Sequence, residues 1–277
     1  MTRRRLTDGV PFAVADATQP ATLGCHPSGH PFPALNSHFP WDDFDSSWYL
    51  DHNYRKLRDD DRQIIEIVRD FFVTLGISNQ RYKHGIDVGA GTNLYPALTM
   101  LPLCNEITLY EYATSNVSWL QREVHSYSPS WNPFWDLLTN EPMYKSINSP
   151  RDILASTARV KKGSVFDLPK LQWDIGTMFF VAESISFELV EFQAALRSFL
   201  KSLLPGAPFA AAFMESSLGY DVSAHRFPAV AITADDVKTY LTDDTEDLKI
   251  HRIGVTSSPL RNGYEGMILA IGRVRRQ

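Results

Sequence analysis

Ile86-Asp87-Val88-Gly89-Ala90-Gly91-Thr92 joins an apolar, β-type run to a glycine turn. The stretch Leu94 to Met100 that follows suits a short helix. Glycine is required where a chain leaves a strand through unusual φ/ψ angles, or where backbone must approach a ligand closely. In a wound α/β sheet, ligands bind beyond the carboxyl ends of the strands, at this kind of turn. A second strand is expected over Glu106 to Tyr112, with Glu111 near its end. An acid about 20 residues after the first glycine is placed to hold the ribose hydroxyls of a nucleoside.

Two kinds of cofactor use such a turn. A dinucleotide needs Gly-x-Gly-x-x-Gly, and the third position here is Leu94. No basic residue follows the loop to meet a phosphate. An adenosyl sulfonium carries no phosphate and suits Asp-x-Gly-x-Gly with an acidic second strand better.

Outward from the turn, the pattern alternates. Ile64, Ile65, Val68, Phe71, Phe72 and Leu75 recur at helical spacing over Asp59 to Gly76. Val117 to Val124 suits another helix. Ser126 to Pro150 is rich in Pro, Ser, Asn and Trp and reads as a connection. Strands are expected over Val160 to Phe166, Asp174 to Val181 and Phe209 to Met214. A helix over Leu189 to Leu204 ends at Pro205-Gly206. Thr233 with Asp236 predicts a capped helix over Asp235 to Leu241. Leu248 to Thr256 and Tyr264 to Val274 form a final antiparallel pair joined by Ser257–Gly263. Alternating strands and helices predict a doubly wound, mostly parallel α/β sheet with an antiparallel edge. Residues 1–58 read as an irregular arm and lid, and 59–277 as the main domain.

Composition narrows the function. The 277 residues carry 27 Lys+Arg against 32 Asp+Glu, a net charge of −5. No basic stripe offers a nucleic-acid surface; Arg3-Arg4-Arg5 and Arg275-Arg276 are short solvated ends. No apolar run approaches the about 20 residues of a membrane-spanning helix. Two cysteines, Cys25 and Cys104, build no disulfide framework, and no secretory signal opens the chain, so a cytoplasmic setting is expected. Cys25-His26-Pro27-Ser28-Gly29-His30 lacks a second ligand pair at finger spacing, so no metal site is predicted.

The chain resembles the methyltransferase family that includes the nicotinamide, phenylethanolamine, indolethylamine and thioether enzymes. Phe44 to Tyr54 is similar to that family's lid segment with two tyrosines. Ile86 to Tyr95 resembles its glycine loop, and Glu111-Tyr112-Ala113-Thr114-Ser115-Asn116 its acidic-Tyr-x-x-x-Asn segment. Trp131-Asn132-Pro133 is similar to a Trp-Ser-Pro in the same connection. The resemblance implies a Rossmann-like class I methyltransferase fold with an N-terminal helical lid, S-adenosyl-L-methionine as cofactor, and a small-molecule acceptor. It implies a cofactor site of Tyr49, Tyr54, Gly89, Ala90, Gly91, Asn93, Tyr95, Glu111, Tyr112 and Asn116. Ser164 and Val165 stand where relatives place an Asp-Val pair against the adenine.

On the acceptor side, Glu183 follows a buried strand where the amine-methylating relatives have an acid. Glu215 follows the next strand, whose end faces the acceptor in relatives. Phe180 and Tyr264 are candidate aromatic walls. Ala212 occupies the place of the nicotinamide-specific aspartate, which argues against nicotinamide. An amine or heteroaromatic nitrogen is the expected acceptor, and a monomer the expected form. Methylation at O, S or C, a nicotinamide-dependent oxidoreductase, and a catalytically silent binding protein remain as alternatives.

Overall fold

The computed structural model describes residues 35–76, 82–255, 260–261 and 263–276. Most of the proline-rich arm, with Arg3-Arg4-Arg5, Cys25 and His30, lies outside them, as does most of Ser257–Gly263.

Two 3-10 turns, Asn36–His38 and Trp41–Asp43, precede α1 (Ser46–Asn53) and α2 (Asp59–Gly76). Then come β1 (Tyr82–Val88), α3 (Tyr95–Met100), β2 (Cys104–Glu111) and α4 (Thr114–Glu123). Short helices α5 (Asn132–Leu138), α6 (Pro142–Lys145) and α7 (Pro150–Thr157) lead to β3 (Ala158–Lys162). β4 (Ile175–Phe179), α8 (Leu189–Ser202) and β5 (Pro208–Glu215) follow. The chain ends with β6 (Tyr220–Val222), β7 (His225–Phe227), α9 (Ala234–Thr242), β8 (Thr245–Gly254) and β9 (Gly266–Val274).

One seven-stranded sheet runs β3-β2-β1-β4-β5-β9-β8. β3, β2, β1, β4 and β5 are parallel, and β9 is antiparallel to both β5 and β8. From β1 the chain builds outward through β2 and β3, then returns to lay β4 and β5 on the other side. That reversal opens the crevice between β1 and β4 at their carboxyl ends. β4 and β5 are buried along their whole length, as central strands covered on both faces must be.

Helices cover both faces. On one, Ile64, Ile65, Val68 and Phe72 of α2 pack with α3 and α5 residues such as Leu98 and Phe134. On the other, Phe192, Leu196 and Phe199 of α8 pack on Phe209 and Phe213. A third cluster joins Trp41 and Phe44 to Tyr220, Val222 and Phe227 of the β6–β7 hairpin. The described residues lie in one compact unit, Ala34–Gln277.

The expected helix and strand order holds, with local corrections. The strand expected over Val160 to Phe166 stops at Lys162, because Ser164 caps a 3-10 turn by accepting the Phe166 N–H. The Ser126 to Pro150 connection holds α5 and α6, each with proline in its first turn, where its missing N–H costs nothing. The α7 helix and the β6–β7 hairpin carry no strong pattern in the sequence. Thr233 and Asp236 form the full reciprocal capping box.

Candidate active site

A cavity, open at its mouth, lies at the carboxyl ends of β1, β2 and β4. Gly89 and Gly91 have φ of +65° and +55°. A Cβ on Gly89 would stand 2.4 Å from Val181 Cγ2, so the turn is closed to any larger residue. The N–H groups of Gly89 and Ala90 both donate to Tyr110 O, at 2.7 and 3.3 Å. The turn is therefore fixed to the end of β2. Gly163, on the rim beyond β3, permits equally close approach to the Tyr110 ring.

Glu111 lines the cavity and is otherwise buried. Its Oε1 accepts the N–H groups of Tyr112 and Ala113 at 2.8 Å each, and its Oε2 accepts that of Gly91 at 2.8 Å. Burial pushes its pKa above the usual carboxylate range, against the N–H groups of Ala113, Gly91 and Tyr112 and the Asn116 amide, which hold it down. Asn116 Oδ1 accepts the Ser46 hydroxyl at 2.7 Å, which ties α4 to α1. Asn93 Oδ1 accepts the Tyr95 N–H at 3.1 Å, while Asn93 Nδ2 has no partner. Thr92 Oγ1, also in the lining, has none either.

Of the residues expected around the cofactor, the structure brings Tyr49, Tyr54, Gly89, Ala90, Gly91, Asn93, Glu111, Tyr112, Asn116, Ser164 and Val165 to one cavity. Tyr95 is not in the lining. It is fully buried behind Tyr54, at a ring distance of 6.1 Å, and its hydroxyl donates to Asp61 Oδ1 at 3.0 Å. Desolvation, with Asp60 beside it, raises Asp61 to about 7.

The acceptor expectations change more. Glu215 does not line the cavity; Arg252 on β8 donates to its Oε2 at 3.0 and 3.1 Å. A charge at the end of β5 is thus paired with a guanidinium from β8, reaching across the intervening β9. Glu183 lies one layer behind the wall, fully buried. Its Oε1 accepts the Met214 N–H at 3.1 Å and the Ser184 hydroxyl at 2.9 Å, and its Oε2 has no partner. Desolvation raises its pKa, opposed by Arg261. Phe180 does line the cavity, at φ +61°. Tyr264 does not; its hydroxyl donates to Asp60 Oδ2 at 3.1 Å.

Sequence reading missed Trp41, Phe44, Ser184, Ile185 and Tyr220, which also line the cavity. It missed Arg261, buried behind Ser184 and Tyr49. Trp41 and Phe44 sit in a stretch without periodicity, and Arg261 in a loop, so only the fold brings them near the glycine turn.

The crevice at the switch point, the glycine turn and the buried acid opposite it define a nucleoside-binding α/β protein of the class I methyltransferase type. Unpartnered Asn93 Nδ2 and Thr92 Oγ1, with no basic side chain among the described residues of the lining, fit a cofactor that has polar ends and no phosphate. A profile of the NNMT/PNMT/TEMT family matches residues 35–271, and the chain belongs to that family. It is an S-adenosyl-L-methionine-dependent methyltransferase.

Solved structures give the same fold. An S-adenosylmethionine-dependent methyltransferase from Clostridium acetobutylicum superposes with a TM-score of 0.51 at 10% identity, covering 83% of this chain and 97% of that one. One from Methanosarcina mazei gives 0.50 at 13% identity, over 73% and 97%. The cyclase SpnF gives 0.51 at 12% identity, over 80% and 83%. At these identities the likeness speaks for fold alone, and fold does not fix the reaction. No curated protein matches the sequence. Among the described residues, no helix is long and apolar enough to cross a membrane.

Proposed function

We propose that the protein methylates a nitrogen of a small molecule, either an amine or a heteroaromatic ring. The observation that carries this reading is the hydroxyl of Ser184, set in an aromatic wall and hydrogen-bonded at 2.9 Å to a buried carboxylate on Glu183. Trp41, Phe44, Tyr49, Phe180 and Tyr220 form that wall. Flat or apolar molecules suit such a surface.

Glu111 accepts the ribose hydroxyls. A carboxylate offers about four lone-pair positions, and the Gly91 N–H and the Asn116 amide hold those that the sugar would take over. Asn93 Nδ2 and Thr92 Oγ1 receive the polar methionine end. Val165 packs on the adenine and Ser164 meets its edge. When bound, the cofactor supplies a methyl group already activated on a sulfonium.

Little acid–base chemistry is then needed, and positioning of the nucleophile can contribute about 7–11 kcal/mol. The 35–58 segment acts as the lid that excludes water. A protonated amine must lose a proton before it attacks. Ser184 Oγ takes that proton while passing its own to Glu183 Oε1, and a carboxylate with a raised pKa is the better base near neutrality. Glu215, neutralised by Arg252, has no part in this.

A small acceptor is supported by the aromatic lining of the cavity, and we read the setting as cytoplasmic. The net charge of −5 offers no field for nucleic acid, and we read the enzyme as a monomer. Labelled-methyl transfer to a panel of amines, N-heteroaromatics, phenols, thiols and carbon nucleophiles tests the proposal. Transfer to nitrogen supports it; transfer confined to O, S or C overturns it.

A further inference from the structure

Arg261 lies between β8 and β9 and is 7% exposed. One amino group, Nη1, donates to Ser184 Oγ at 2.8 Å. The other, Nη2, donates to the Tyr49 hydroxyl at 3.1 Å. The guanidinium carbon sits 4.1 Å from the Tyr220 ring centroid. All three partners line the cavity. They come from three separate elements: α1, the turn after β4, and the β6–β7 hairpin. One buried cation therefore joins three walls of the same chamber. Burying a guanidinium is costly, and its hydrogen-bond partners here, among the described residues, are both hydroxyls that face the cavity.

We propose that Arg261 is a positioning residue for this chamber. It latches the lid helix α1 through Tyr49, and it decides which way two hydroxyl protons point. A hydroxyl has one proton and two lone pairs, whereas a guanidinium only donates. Arg261 thus fills a lone pair on each oxygen and leaves each proton to be given elsewhere. Ser184 gives its proton to Glu183. Tyr49 is left to give its own to a bound molecule that presents a lone pair. That molecule is either the methyl donor, through its carboxylate, or the acceptor, through an oxygen or nitrogen. The hydroxyl assignment rests on the cavity being the ligand site; the latch does not.

The test uses Arg261→Gln, Tyr49→Phe and the double variant of the full chain. Hydrogen exchange of the Ser46–Asn53 amides, measured without ligand, is expected to quicken in both single variants. S-adenosylhomocysteine affinity and acceptor KM are measured in parallel, which separates the two sources of lone pair. One of them should weaken roughly fivefold to tenfold in Tyr49→Phe, about the value of one hydrogen bond. Arg261→Gln should cause the same weakening of affinity and add almost none to it in the Tyr49→Phe background, because coupled residues are non-additive; through Ser184 it should also lower kcat with a protonated amine. In Arg261→Ala, millimolar guanidinium should restore affinity where equal sodium chloride does not. Wild-type amide exchange in both single variants, or additive effects in the double variant, overturns the proposal. If the wild type neither binds S-adenosylhomocysteine nor transfers methyl groups, the functional reading and the hydroxyl assignment fail together. The exchange data still decide the latch.

Discussion

The Glu111 carboxylate accepts the Gly91 N–H at 2.8 Å, so the acid that ends β2 is fastened to the turn that ends β1. With two further N–H groups from Tyr112 and Ala113, the carboxylate is held in place before any ligand arrives. Glu111→Ala removes both the sugar contact and the brace on the turn. Hydrogen bonds to a charged group are worth about 1.5–3 kcal/mol, so S-adenosylmethionine affinity should fall roughly tenfold to a hundredfold. Titration calorimetry measures this directly. Unchanged affinity would remove Glu111 from the ribose site.

Gly89 tests the turn itself. Its φ of +65° costs a side-chain residue about 1–2 kcal/mol, and a Cβ would also meet Val181 at 2.4 Å. Gly89→Ala should lower the melting temperature and abolish measurable cofactor binding. Val181→Ala in the same chain should recover part of the stability, since it removes the two methyl contacts at 2.4 and 2.8 Å but not the strain or the 3.2 Å contact with its own Cβ. A double variant no more stable than Gly89→Ala would show that the clash is not the cause.

Much of this was legible before the structure, and for identifiable reasons. The glycine turn and Glu111 are tied by sequence separation, because β1, a short helix and β2 fix about how many residues lie between them. Capping by Thr233 and Asp236 is a local code, complete within four residues. Glu215 misled because a strand-end acid looks the same whether it faces a cavity or pairs sideways; Arg252, on a strand laid beside β9, is invisible as its partner in sequence. The place of Tyr95 behind the lining was not legible for a similar reason. It begins a helix next to the turn, but Asp61 on α2 draws its hydroxyl away from the cavity. Trp41, Phe44, Tyr220 and Arg261 meet only through the packing of the lid on the β6–β7 hairpin, and no periodicity marks them.

Buried acids make stability depend on pH, Asp87 and Asp61 over the clearest range. Desolvation raises Asp87 to about 8 and Asp61 to about 7, while unfolded aspartate titrates near 3.9. Between those limits the folded chain binds more protons than the unfolded one, so stability falls as pH rises. The melting temperature should therefore decline from about pH 4 to about pH 8. Asp87→Asn keeps an oxygen for the Thr177 hydroxyl, which now donates to Oδ1 at 2.8 Å, and removes the charge. Its melting curve should be flatter across that range and higher than wild type at pH 8. A slope equal to wild type would mean that Asp87 is not the group that titrates.

Glu183 decides the proton path. Its carboxylate reaches the cavity only through Ser184, so Glu183→Gln leaves the aromatic wall in place and removes the final proton acceptor. General-base assistance is worth about 10²–10⁴-fold. With an aliphatic amine that arrives protonated, kcat/KM should fall at least about tenfold. A heteroaromatic nitrogen with no proton to lose should be methylated at nearly the wild-type rate by the same variant. Because burial raises the Glu183 pKa, the wild-type rate with the amine should climb with pH above the ordinary carboxylate range, and Glu183→Gln should lose that limb. Equal losses for both nitrogen types would make Glu183 a support for the fold around Met214 rather than a base.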